Sequence, residues 1–191
     1  VCFYSFVALV FSLCPLSGWA GSGSVIAEVE ALVLVQQATG VDYVRLAEAH
    51  LERGDLGKAQ RAYEKAVRLG EVVLGHNGIG KVYAQTPGRG LKAQYHFRRA
   101  LGSDPHFAEA QYYLAQIYAR MRPLEAEEAF SKALDMDPDH GDAHFQLGKL
   151  MEEAGDRAGA LAAYERQILT NQAHGEARYH MGKLLFAQGD R

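Results

Sequence analysis

A period of about 34 residues runs through most of this chain and constrains its fold more than any other feature. Ala59, Ala93, Ala126 and Ala160 mark the period, with the middle step one position shorter than the other two. Tyr63, Phe97, Phe130 and Tyr164 follow them at the same step, and Ala66, Ala100 and Ala133 stand one helical turn further on. Upstream of each alanine lies a companion segment, and a fifth such segment closes the series. These are Tyr43-x2-Leu46-Ala47-x2-His50, Ile79-Gly80-x2-Tyr83, Gln111-x2-Leu114-Ala115-x2-Tyr118, His144-x2-Leu147-Gly148-x2-Met151 and Arg178-x2-Met181-Gly182-x2-Leu185. Spacings of three, four and seven put the side chains of each segment on one helical stripe. The unit is therefore two amphipathic helices joined by a turn. Each unit is too small to bury its own apolar face, so it must stack on its neighbours.

The small residues have a steric purpose. Gly80, Ala115, Gly148 and Gly182 let the paired helices approach, with Ala59, Ala93, Ala126 and Ala160 opposite them and the four aromatics beside. Gly54-Asp55, Gly155-Asp156 and Gly189-Asp190 lie between helices. There Gly suits a left-handed helix end and Asp a cap on the next helix. Pro105 and Pro138 close the second helix.

These motifs resemble the tetratricopeptide repeat, W-x2-L-G-x2-Y, then A-x3-F, then P, in a unit of about 34 residues. The resemblance covers residues 40–191, as repeats 40–72, 73–107, 108–140, 141–174 and a partial 175–191. It implies an all-α fold: a solenoid of antiparallel helix pairs in a right-handed superhelix. The Trp position holds Tyr43, His76, Gln111, His144 and Arg178. Gln167 stands where the family keeps a small residue, and Gln172 replaces the proline. A looser contact between the fourth and fifth repeats is expected there. The inner turn is one residue longer at Gln85–Gly90 and one shorter around Arg120–Pro123.

The resemblance also implies where a ligand would lie. The concave face of such a solenoid is lined by the first helix of each repeat, and this family binds peptides there. One ladder contains Val44, Asn77, Tyr112, Phe145 and Tyr179. The other, one turn later, contains Glu48, Lys81, Gln116, Lys149 and Lys183. Asn77, Lys81, Tyr112, Gln116, Phe145, Lys149, Tyr179 and Lys183 are the expected peptide-binding residues. Aromatics would offer flat apolar area, and lysines would offer donors to carboxylates or carbonyls. The alternative is that the lysines are solvated and the aromatics pack between repeats. The clamp that some members close on a chaperone's terminal carboxylate needs a basic residue where Val44 stands and Asn where Glu48 stands, so that partner is excluded.

No catalytic constellation stands out, and the chain is not expected to be an enzyme or to hold a cofactor. Charged residues make up 23% and the net charge is −3, which does not favour nucleic acid. His106, His140 and His174 recur at equivalent places. Helices about 8–10 Å apart cannot bring three such rings to within about 2.0–2.3 Å of one ion. His140 and His144 with Asp137, Asp139 and Asp142 read better as turn polarity and capping than as a cation site. Asp135-x-Asp137-x-Asp139 has the alternating carboxylates of a calcium loop, but Pro138 and the missing glycine argue against one. Thr86–Gly90 is glycine-rich, yet no strand precedes it and no Gly-Lys-Ser/Thr follows, so it is no phosphate loop.

No charged residue precedes Glu28. Phe3–Leu13 has the length of a signal-peptide core, and Gly18-Trp19-Ala20 suits cleavage after Ala20. Residues 1–20 are thus expected to be a signal peptide or, if uncleaved, a membrane anchor. The chain is expected to be exported to the periplasm or beyond, and its N-terminus, lacking Met and a basic region, to be truncated. Cys2 and Cys14 both lie in this segment. Their removal would leave no thiol chemistry. A lipoprotein role for Cys14 fits poorly after Phe11-Ser12-Leu13. Residues 21–39 are expected to supply a capping helix, with Val25, Val29, Leu32, Val33 and Gln36 on one stripe. Arg191 ends the sequence in the turn of the fifth repeat, from which a continuation is expected.

The function these readings favour is a non-catalytic scaffold that binds a peptide or partner helix in the concave groove. The alternative is the recognition arm of a larger exported enzyme or assembly factor, with its catalytic domain beyond the C-terminus.

Overall fold

The structure is a computed structural model, and it describes residues 22–34, 36–120, 122–187 and 189. The expected signal segment, with both cysteines, lies outside them. Among the described residues there are ten helices and no strand. They are α1 (Ser22–Leu34), α2 (Gly40–Glu52), α3 (Leu56–Arg68), α4 (Val72–Gln85), α5 (Gly90–Ser103), α6 (Ala108–Ala119), α7 (Pro123–Met136), α8 (Ala143–Ala154), α9 (Arg157–Thr170) and α10 (Gly175–Ala187). Helices α2 to α9 form four antiparallel pairs, and α10 is the first helix of a fifth. Each helix packs chiefly on the ones before and after it, and first helices also touch the first helices of adjacent repeats. That is the connectivity of a solenoid.

The repeating residues set the spacing between helices. Ala59, Ala93, Ala126 and Ala160 are fully buried, and Tyr63, Phe97, Phe130 and Tyr164 fill the core beside them. A methyl group added at Gly80 would stand 2.5 Å from the Phe97 ring, and one at Gly148 would stand 2.7 Å from Tyr164. The expected close crossings are therefore real at these two glycines. Gly182 is different: nothing lies within 4 Å of an added methyl, because no second helix faces α10 among the described residues. Gly78, which the repeat pattern does not single out, is crowded by the Tyr63 ring.

Local chemistry starts and stops the helices. Gly54 and Gly155 take positive φ angles of 75° and 84°, a backbone that other residues resist. Asp156 caps α9 by accepting from the Gly159 amide at 3.0 Å. Asp55 makes no such bond to α3, which departs from the expectation. Its carboxylate instead lies 3.5 Å from the Nδ1 of His50. Thr39 and Asp42 form a reciprocal capping box on α2. Asp104, Asp137 and Asn171 each accept a bond from the amide two positions on. The acidic residues after α5 and α7 thus shape turns.

Helix α1 lies on the first repeat along the first half of the expected stripe, through Val25 and Val29, but not along its second half. Ile26 and Val29 are buried with Val44, Ala47 and Tyr63. Val33 is exposed, and Gln36 stands past the helix with φ of 56°. The helix ends before Gln36 because the chain must turn into Thr39. The looseness expected at Gln167 is also absent. This side chain is fully buried. Its Oε1 accepts from the Phe145 amide at 3.1 Å, and its Nε2 donates to the Gly141 carbonyl at 2.6 Å. Both ends of the amide are satisfied, so it fills the small-residue position without a void.

Candidate functional site

The first helices α2, α4, α6, α8 and α10 stand side by side and bring the two ladders together. The inner ladder is mostly closed. Tyr112 is 7% exposed and Phe145 is 4% exposed, whereas Tyr179 is 69% exposed. The cause is the turn that follows each repeat. His140 packs at a tilt against Tyr112 with ring centroids 4.4 Å apart, and His174 packs at a tilt against Phe145 at 4.7 Å. Each histidine is therefore a packing ring placed at the end of the repeat whose aromatic it covers. Tyr112 and Phe145 are not open apolar anchors, which corrects the expectation that they line a groove. They pack between repeats. Burial pushes the Tyr112 hydroxyl pKa up, as does the charge on Asp142.

Asn77 is closed in another way. It is buried, and its Nδ2 donates to Glu109 Oε2 at 2.9 Å. Lys81 donates to the other oxygen of Glu109 at 3.1 Å. Burial works against the Lys81 charge, but Glu109 outweighs it and the pKa is raised. Glu109 belongs to the next repeat, so this cluster joins α4 to α6. A similar one joins α8 to α9 and α10. Glu152 accepts from Tyr164 at 2.8 Å and Lys183 at 3.0 Å, and lies 2.8 Å from the Nδ1 of His180. Burial would raise the Glu152 pKa, but bonds from His180, Tyr164 and Lys183 hold it down at about 2. Glu109 and Glu152 carry no signal in the sequence, since neither falls on a signature position or on either ladder.

The outer ladder keeps its accessible members. Lys149 has no ion-pair partner among the described residues. Its Nζ stands 5.7 Å from the centre of the Phe145 ring, a separation that suits cation–π attraction. Gln116 donates to the Tyr112 hydroxyl at 2.7 Å. Between α6 and α8 is a cleft of about 580 Å³ lined by Gln116, Arg120, Gln146, Lys149 and Glu153. Its walls are amides and charges of both signs, with apolar Ala119, Phe130 and Leu150 between them. Such a lining can hydrogen-bond an extended backbone and pair with a carboxylate. Among the described residues no helix is long and apolar enough to cross a membrane, and no group of three or more His, Cys, Asp or Glu could hold a metal.

Family models described as Tetratricopeptide repeat match residues 119–173 and residues 43–69. The fold is similar to solved structures that share little sequence. One is a thermophilic TPR protein of Thermus thermophilus, at 18% identity over 86% of this chain and 91% of that one, TM-score 0.71. Another is YrrB, described as a TPR protein with an unusual peptide-binding site, at 21% identity over 85% of this chain and 84% of that one, TM-score 0.61. A third is MamA, at 24% identity over 76% of this chain and 86% of that one, TM-score 0.64. No curated protein matches the chain.

Proposed function

This chain is a tetratricopeptide-repeat protein, and from that premise we propose that it is a non-catalytic scaffold holding an extended, acidic peptide across its first helices. The observation that carries the reading is the cleft between α6 and α8, with unpaired Lys149 beside Gln116 and Gln146. Lys149 and Arg120 attract carboxylates. The two glutamines match the donors and acceptors of a peptide backbone. Tyr179 adds an open aromatic surface further along the stack. Lys81 and Lys183 are already engaged by Glu109 and Glu152, so they contribute less. The unusual peptide-binding site of YrrB supports the same use of this fold.

The test is a pull-down with the wild type and three variants. Lys149→Glu should lose acidic partners, and Gln116→Ala should weaken them. Arg166→Glu, on the second-helix side, should keep them. Retention by Lys149→Glu and loss by Arg166→Glu would move the function to the other face.

The site of action in this proposal is outside the cytoplasm. The apolar run Phe3–Leu13 and the small residues Gly18 and Ala20 support export. N-terminal sequencing of the protein from the exported fraction should begin at Gly21. A chain retained with its N-terminal segment in the cytoplasm would refute export.

A further inference from the structure

His76 and His96 lie away from both ladders, on the two helices of one repeat. His76 is on α4, at the position where the repeat signature has Trp, and His96 is on α5. Their Nδ1 atoms are 3.1 Å apart and their ring centroids 5.2 Å apart. Both rings are half-buried. Between two neutral imidazoles this contact requires one ring to carry its proton on Nδ1 and the other to leave that nitrogen bare. Two like rings sharing one proton form a weak structural contact, and the contact brings two metal-donor nitrogens side by side.

We propose that His76 and His96 bind one late first-row divalent ion, Cu²⁺, Ni²⁺ or Zn²⁺, through both Nδ1 atoms. Imidazole nitrogens stand about 2.0–2.1 Å from such ions, so two of them are about 2.9 Å apart at a right angle and about 3.3 Å apart at a tetrahedral angle. The observed 3.1 Å falls between these limits, and the rings need only turn. The bridging proton moves to the Nε2 of the same ring as the ion enters, so no net proton is lost from the pair. Burial holds both rings below the ordinary imidazole range, with His76 and Arg99 adding to this at His96. Both are therefore neutral near pH 7, the state that ligates metal. With two protein ligands, water completes the coordination. Cu²⁺ binds most tightly, following the usual order for nitrogen donors. Arg99 and Lys92 oppose the ion's charge, and Glu64 on α3 favours it.

The experiment is a calorimetric titration of the metal-free full chain with CuCl2, NiCl2 and ZnCl2. One ion should bind per chain. His76→Gln and His96→Gln should each weaken binding by at least about tenfold. Arg99→Gln should tighten it, and His106→Gln, at an exposed histidine in a turn, should leave it unchanged. Circular dichroism reports whether each variant keeps its helices. If either loses them, the nitrogen-15 spectrum of the wild type with Zn²⁺ decides. Shifts at both Nδ1 atoms support the site, and unshifted Nδ1 signals overturn it. Absence of saturable binding, or binding that survives both substitutions, also overturns it.

Discussion

Gly80 and Gly182 stand at equivalent places in the repeat, yet they face different surroundings. A methyl group on Gly80 would press into the Phe97 ring, and one on Gly182 would meet open space. Gly80→Ala should therefore lower stability by about 1–3 kcal/mol through overpacking. Gly182→Ala should raise it by up to about 1 kcal/mol, because alanine is the better helix former. Urea midpoints of the two variants decide this, and equal midpoints would show that the α4–α5 crossing is not close. The sequence made the two glycines look alike, since a signature records the residue and not the neighbour. The same limit hid the burial of Tyr112 and Phe145. Their alignment on one ladder was legible from register alone. The histidines that cover them come from turns, where periodicity says nothing about which way a ring folds. Gln167 shows the reverse error. Its polar type suggested a poorer fit, but two backbone groups at the start of α8 happen to match its amide. Gln167→Ala should leave those groups unpaired and cost about 1–3 kcal/mol, read as a lower melting temperature.

At the scale of elements, α4 and α5 share the His76–His96 contact, while α8, α9 and α10 meet at Glu152. Both contacts make stability depend on pH. His96 has an ordinary pKa of 6.5, lowered to about 4 in the fold. The unfolded chain therefore binds more protons between these values, and stability must fall as pH drops from 6.5 to 4. Glu152 is lowered from 4.5 to about 2. Its contribution is full above 4.5 and is lost as pH falls toward 2. Acid unfolding of the metal-free chain should thus have an upper limb from His96 and a lower limb from Glu152. His96→Gln should flatten the upper limb and leave the lower one. Glu152→Gln should do the opposite. Melting temperatures taken from neutral to strongly acidic pH test both, and an upper limb unchanged in His96→Gln would refute the assignment. Helix existence and pairing were legible in the sequence, including the longer turn at Gln85–Gly90, but the turn before Pro123 is three residues long like the one before Leu56 and is not the shorter one expected. The clusters that tie one repeat to the next were not, because Glu109 and Glu152 reach across by chain geometry that no local motif encodes.

At the scale of the molecule, the stack has no single centre. The buried residues fall into four clusters that follow one another along the chain, from Ile26 and Val29 with the first repeat to Tyr164, Ala177 and Leu184 with the fourth and fifth. Stability is then a sum of unit terms and nearest-neighbour terms, and damage at one end need not reach the other. Ala59→Leu puts a large side chain into a fully buried position between α2 and α3. Overpacking there should cost about 1–3 kcal/mol. If the coupling between neighbours is finite, the loss is felt mainly near the substitution. Amide hydrogen exchange should speed up in α1 to α4 and remain unchanged in α9 and α10. A globular core with one cooperative transition would give equal acceleration in every helix. That result would mean the repeats fold as one body, and a peptide bound at the α6–α8 cleft would then stabilise the whole stack. Local acceleration would mean that such a peptide protects only the repeats it touches.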